Sequence, residues 1–473
     1  MLDKYRRLGK NTILIFLGNI GSKLISLLML PLYTRWLTVE EYGTTDIINV
    51  YVAFLTSLVT CCISEAIFIF PKNQSGIKQS YYFSSAVAFM AISFGVTLGL
   101  FLIAQHIFLY YGLLSSFCDN IWLVFILIFT AFGQEVVQQF CRSINKIRIY
   151  SLTGLVQTIL ITILSFILIP TFHVYGFVFA IALANFLAML FALIFSRSYK
   201  FFHFRNINKE YSIEMLHYCL PLIPNSIMWW IVGALNRPIL DANLGLHAIG
   251  IFAVANKFPS MLAVVYNIFI QSWQISVLEE FGSKEYSNFY NKIFKNVFLV
   301  LLLVSIFISI CSKLLVSVFA AESFIDAWKY IPILTFAVLF TNISGFVGSN
   351  FIAIKKSKYF LYTSVIGTIV SLLLNILLIP SWGIMGAAVT VLLSHASIAF
   401  MRIYFSWRYV KIENIKKYLF LLLLNFVVII SIIYIDDLIL KGTLILIVIL
   451  GIIILNRSIL YSFKSIYDQY KKQ

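Results

Sequence analysis

The sequence predicts an all-α polytopic membrane protein: about fourteen transmembrane helices, arranged as two parallel six-helix repeats with two more helices after them. Three observations predict it. The composition is strongly apolar. The connections between apolar stretches alternate between rich and poor in Lys and Arg. The first half of the chain is echoed in the second about 210 residues on.

Composition sets the solvent. Hydrophobic residues make up 61% of the 473-residue chain and charged residues 11%, against roughly 45–50% and about 25% in soluble domains. A water-facing globule has no interior large enough for that much apolar surface. The net charge of +16 is spread as short clusters beside apolar ends. That pattern fits attraction to anionic lipid headgroups and argues against nucleic acid as a partner. The six cysteines show no metal-ligand or redox spacing and are predicted to be free thiols.

The apolar stretches, numbered here as spans 1 to 14, fall at 12–33, 45–70, 81–108, 120–140, 150–170, 175–195, 219–237, 248–275, 293–318, 330–354, 360–380, 384–405, 416–435 and 442–460. Each is about as long as the 20 residues a helix needs to cross roughly 30 Å of hydrocarbon. Span 1 follows a basic start and resembles a signal peptide in outline. It lacks a small-residue cleavage site and carries Lys23 at its middle, so it reads as the first crossing. The connections are too short to hold a separate soluble domain.

Charge gives the direction. With the N-terminus cytoplasmic, successive inner connections collect Lys4, Arg6, Arg7 and Lys10, then Lys72 and Lys78, then Arg142, Lys146 and Arg148. Further inner clusters follow at 197–209, 284–295, 355–358, 402–417 and 457–472, Arg402 among them, while the opposite side keeps only Arg35, Arg237, Lys329 and Lys441. This is the asymmetry of the positive-inside rule, and it places both termini inside.

The repeat is legible in two places. PLYTRWLTVEEYG (31–43) and PILDANLGLHAIG (238–250) share Pro, Leu and Gly at an offset of 207, and Pro31 and Pro238 are expected to end spans 1 and 7. At an offset of 210, Arg148 meets Lys358, Pro170 meets Pro380, Phe172 meets Trp382 and Gly176 meets Gly386. Composition inflates Leu and Ile matches between apolar helices, but not aligned Pro, Gly and basic positions. Spans 1–6 therefore duplicate spans 7–12. Six crossings is an even number, so both copies enter from the same side and are related by an axis along the membrane normal. Two such bundles facing each other leave a central cleft, which is a transporter signal. The expected division is an N-terminal lobe at 1–205, a C-terminal lobe at 206–410, and spans 13–14 with a tail at 411–473.

Polar residues inside a membrane helix point away from lipid. At about 100° per residue, stripes form on span 1 (Asn19, Ser22, Lys23, Ser26, Tyr33), span 2 (Asp46, Asn49, Thr56, Ser57, Thr60, Ser64), span 7 (Asn225, Trp229, Asn236) and span 8 (Asn256, Ser260, Asn267, Gln271, Gln274). These are equivalent pairs in the two repeats, whereas spans 5, 11, 13 and 14 are nearly featureless and are expected to face lipid. Lys23 and Lys257 are the sharp charges, since an unpaired Lys at such depth costs at least about 2.5–3.5 kcal/mol on insertion scales. Two readings fit them: a cationic cavity for an anionic substrate, or an internal pair (Lys23 with Glu65, for instance) or snorkelling side chain. Glu65 and Glu135, about two turns from the inner ends of their helices, read either as inter-helix pairs or, with Asp46, as carboxylates that couple transport to H+ or Na+.

The N-terminal run KNTILIFLGNIGSKLISLLMLPLYTRWLTVEEYG (10–43) resembles the start of Wzx-like polysaccharide flippases, and so do the paired basic, Leu-Ile-Pro and glycine elements around Pro170 and Pro380. These flippases belong to the multidrug/oligosaccharidyl-lipid/polysaccharide exporter superfamily, and the resemblance covers essentially the whole chain. It implies two lobes in a V shape with spans 1, 2, 7 and 8 lining the cavity, in agreement with the stripes. It also implies a substrate of undecaprenyl pyrophosphate carrying an oligosaccharide repeat unit of O-antigen (lipopolysaccharide) or capsule type, turned from the inner to the outer leaflet of the bacterial inner membrane. Membrane lipids, a polysaccharide polymerase and chain-length proteins are the implied partners. Lys23, Lys257, Arg237 and Arg35 are then candidates for the phosphates, and Asn236, Asn256, Gln271, Trp229 and Trp273 for the sugar. No cofactor or metal is expected. Two rivals remain: an ion-coupled drug or cation antiporter of the same superfamily, and a membrane polysaccharide polymerase. The first would be expected to carry acidic residues near the midplane, where this chain has lysines. The second would be expected to carry substantial outer loops and a catalytic constellation.

Overall fold

The computed structural model describes residues 28–111, 115–356 and 358–435, with Ile25 and scattered positions of 437–451. Lys23, most of span 1 and most of span 14 lie outside the described residues. Among the described residues the regular structure is helical throughout, without a strand, and the protein is a multi-pass membrane protein. Among the described residues eight helices are long and apolar enough to cross a bilayer, and a bent pair, Val39–Val59 with Ile63–Ile69, makes a ninth. All six cysteines are free.

Three of those helices are too long for one crossing. Ile147–Ser196 has 50 residues and Lys358–Ser406 has 49, which would extend about 75 Å if straight. Each instead turns back at one residue, His173 (φ 50°, ψ −122°) and Gly383 (φ 58°, ψ −133°). Three residues later a glycine meets the helix that has just ended. A side chain on Gly176 would strike the carbonyl oxygen of Leu168, and one on Gly386 that of Leu378, each inside the 3.0 Å that carbon atoms do not cross. In a straight helix those partners, eight residues apart, would be about 12 Å away. So each long helix is two spans, 5 with 6 and 11 with 12. The third, Leu222–Ala263, breaks at Gly245 (φ 75°) into spans 7 and 8.

These turns also confirm the repeat in backbone geometry. At an offset of 210, His173 matches Gly383, the Leu168–Gly176 contact matches Leu378–Gly386, and left-handed Asn145 (φ 61°) matches left-handed Lys355 (φ 54°). One expectation is corrected. Pro31 and Pro238 do not end their spans; the helix runs on past each, to Trp36 and to the break at Gly245. The turns come seven residues later, at Thr38 and Gly245. Thr38 starts the next helix with a reciprocal capping box to Glu41.

Contacts group the chain into two compact units: 1–254 with 318–325 and 371–387, and 255–317 with 326–370 and 388–473. The core of the first packs Ile63, Ile67, Phe83, Phe132, Phe140 and Cys219, all nearly inaccessible. The second is centred on aromatic rings, with Trp273 stacked on Phe346 at 4.3 Å and Tyr290, Phe294 and Phe298 around them. Arg402, expected on an inner connection, is instead 4% exposed within this second unit. It donates to the Ser344 carbonyl (3.1 Å) and to Thr363 Oγ1 (3.4 Å) and lies over the Phe360 ring. Span 13, expected to face lipid, buries one face (Tyr418, Leu421, Asn425, Val428) and exposes the other.

Candidate functional site: charged and polar residues of the helical interior

In the first unit the structure brings together three of the residues expected at the site, around Arg237. Its Nε faces Asp46 Oδ2 at 3.3 Å, and Nη1 donates to the Gly233 carbonyl and to Asn236 Oδ1, both at 2.8 Å. The guanidinium plane lies 4.8 Å over Phe252. Arg237 is 9% exposed and Asn236 2%. Asp46 comes from Val39–Val59, one turn beyond Gly43, and Asn236–Arg237 open the segment that follows Leu235. A guanidinium suits such a site because its fixed fork can serve a carboxylate, a carbonyl and an amide oxygen at once. Taken alone, a charge this buried is strongly unfavourable, and removing one partner of such a pair costs about 3–5 kcal/mol.

Beside it lies a residue the stripes missed. Trp230, adjacent to the expected Trp229, donates its indole N–H to the Val50 carbonyl (2.9 Å) and packs its ring 4.5 Å from Phe54. Trp229 itself is 40% exposed. The missed signal was the pair of tryptophans, which present two different faces of one helix.

Glu65 and Glu135 also converge. The Glu135 carboxyl accepts a hydrogen bond from Ser64 and lies within charge range of Glu65. They flank the break in span 2, where Cys61 (φ 46°) and Cys62 (φ 54°) are both left-handed and the helix bends by 58°. Two consecutive non-glycine residues with positive φ are unusual and mark a strained position. Cys219 reaches the same break, its thiol donating to the Cys62 carbonyl at 3.2 Å.

The remaining expected residues lie apart from these clusters. Arg35 is exposed, next to the turn at Thr38. Lys257 and Asn256 are partly buried in the second unit, Gln271 is exposed there, and no ion pair found among the described residues involves Lys257. Trp273 sits in the core rather than on a polar surface. It is 3% exposed, its ring is covered by Phe346, and its N–H is taken by the Phe346 carbonyl at 3.3 Å. Lys23 is outside the described residues. Among the described residues no group of His, Cys, Asp and Glu is arranged to hold a metal ion.

Helices duplicated at an offset of 210, with buried charge between them, define a class, the multi-pass membrane protein built from an internal repeat. Solved structures share the fold: "Lipid II flippase MurJ" in an inward closed conformation (TM-score 0.70, 14% identity, 95% of this chain and 99% of that one), and an inward-facing multidrug resistance MATE family transporter (TM-score 0.66, 14% identity, 85% and 99%). A further MOP superfamily transporter, from Pyrococcus furiosus, is similar over 84% of this chain and 94% of its own (TM-score 0.59, 14% identity). These relatives are flippases and transporters rather than enzymes. No curated protein matches the sequence. The sequence profile of the polysaccharide biosynthesis proteins matches residues 8–274, more than half of the chain. The chain belongs to that family.

Proposed function

We propose that the protein is a flippase that carries undecaprenyl-pyrophosphate-linked oligosaccharide repeat units, of O-antigen or capsule type, from the inner to the outer leaflet of a bacterial inner membrane. The observation that carries this reading is membership of a polysaccharide biosynthesis family on a fold shared with a lipid II flippase. Physics gives the reason such a protein is needed. Each sugar hydroxyl dragged through hydrocarbon loses hydrogen bonds worth several kcal/mol, and the summed barrier leaves no useful spontaneous rate. A polar path between the lobes 1–205 and 206–410 would hold the head while the polyprenyl tail stays in lipid. Lys23, Lys257 and Arg237, with Arg35 at the outer end, would meet the pyrophosphate. Asn236, Asn256, Gln271 and Trp229 would meet the sugar.

The Lys- and Arg-rich connections, and with them both termini, belong on the cytoplasmic side in this reading. The convergence of Glu65 and Glu135 at the break in span 2 supports coupling to H+ or Na+, with Asp46 as a third carboxylate. The test is the sidedness of lipid-linked repeat units in cells lacking the gene. Single units trapped facing the cytoplasm are expected. Units that reach the outer face but fail to polymerise would overturn the reading in favour of a polymerase, and unchanged pools would overturn it in favour of the drug or ion antiporter.

A further inference from the structure

The two short sequences that repeat at 31–43 and 238–250 meet each other. Their closing glycines are the points of closest approach. A side chain on Gly43 would strike the Leu246 carbonyl oxygen, and one on Gly250 would strike the Val39 carbonyl oxygen, both well inside 3.0 Å. Val39 and Leu246 are themselves repeat partners, as are Gly43 and Gly250, all at an offset of 207. A contact in which one element touches its partner's equivalent, and the reverse, is what a two-fold axis between two copies produces. The Gly43–Gly250 contact therefore lies on the axis that relates the repeats.

From that point a seam runs along one face of span 2, at helical intervals of three and four residues. Val39 and Gly43 meet Gly250 and Leu246. Asp46 meets Arg237, the Val50 carbonyl meets Trp230, and Phe54 packs on the same indole. The segment 318–325 of the same unit closes over the end: the Ala321 N–H donates to Thr34 Oγ1 at 3.1 Å, and Phe324 packs edge-on to Tyr42. This end belongs to the side with few lysines and arginines. Every partner on one side of the main seam comes from the first repeat and every partner on the other from the second.

We propose that this seam is the outer gate of the transporter, with the Gly43–Gly250 contact as its closure and Asp46–Arg237 as its latch. The inference rests on the transporter reading but not on the identity of the cargo. A path between two equivalent lobes runs along the axis that relates them, and here that axis is blocked by backbone touching backbone. Only glycine allows this approach, because any Cβ at either position would hold the two helices apart. Opening separates Val39–Val59 from the second-repeat segments and transfers Arg237 from Asp46 to water or to an anionic cargo. The same guanidinium thus serves the latch when the gate is closed and a phosphate when it is open.

The test reads accessibility. A cysteine at Val50, beneath the closure, is placed in the full-length chain with Cys118 and Cys311 replaced by serine, and labelled in intact cells with a membrane-impermeant maleimide. Gly43→Ala and Gly250→Ala are expected to raise the labelling rate more than tenfold by propping the seam open. Gly95→Ala, where nothing lies within 4 Å of the added carbon, is expected to leave it unchanged. Unchanged labelling in both seam variants, inserted at normal levels, would overturn the gate.

Should the alanine variants fail to insert, a Phe54→Cys, Trp230→Cys chain bridged by a short cleavable dithiol reagent decides. Export lost on bridging and regained on cleavage is expected, and export that continues through a bridged seam overturns the proposal. The labelling result stands whatever is carried. Failure of the flippase reading would instead appear as normal sidedness of lipid-linked units beside gate labelling that still responds.

Discussion

Removing the Asp46 carboxylate should be the most damaging single change in the first unit's polar interior, and the structure sets its size. Arg237 is 9% exposed, so in this conformation its charge is largely shut off from bulk water. Asp46→Ala leaves it with the Gly233 carbonyl and Asn236 Oδ1, both neutral, and should destabilise that conformation by about 3–5 kcal/mol. Arg237→Met should cost less, because the Asp46 side chain is 24% exposed and can solvate its charge. The double change should recover most of the loss, since no buried charge is left over, giving a strongly non-additive cycle. The assay is the fraction of purified protein remaining monodisperse after heating in detergent, with Asp46→Asn expected between wild type and Asp46→Ala. Additive single effects, or an Asp46→Ala variant as heat-resistant as the wild type, would refute the idea that this pair is energetically coupled.

Other consequences can be checked with similar means. Lys23→Ala and Lys257→Ala should each reduce polysaccharide export severalfold while leaving membrane insertion intact; normal export in both and in the double variant would remove the cationic interior from the mechanism. Trp273→Ala should destabilise by about 3–5 kcal/mol, as expected for a large core aromatic. Trp229→Ala, half in the open, should cost about 1 kcal/mol or less, so equal melting of the two variants would contradict the burial. Arg402→Ala should lower thermal stability more than Arg402→Met, which keeps the packing against Phe360, and export measured at low temperature should be near normal in both.

Much of the architecture could be read from the chain because the bilayer imposes it. A helix must be long and apolar to cross, its ends must carry the positive charge inward, and a duplicated bundle must repeat its prolines and glycines. The turn at 168–176 and its copy at 378–386 were visible as aligned Pro and Gly, and the structure supplies matching backbone angles. What misled was local. Pro31 and Pro238 looked like stops, but each helix runs on past its proline for more than a turn, to Trp36 and to Gly245. Arg402 looked like a loop charge because it lies in the last turns of its helix, where sequence cannot say which way a side chain points. Trp273 was expected to meet the sugar, yet an indole is mostly apolar surface and the aromatic core claimed it.

By itself, then, the sequence determined the solvent and the duplication, since each follows from composition and periodicity along one chain. The tertiary structure alone decided who meets whom. The pairing of Asp46 with Arg237 spans 191 residues, the indole of Trp230 reaches Val50 across 180, and Gly43 meets Gly250 across 207. No periodicity within a helix encodes those partners. They are set by how the two repeats pack around their common axis, where the absence of a side chain on two glycines lets one backbone touch the other.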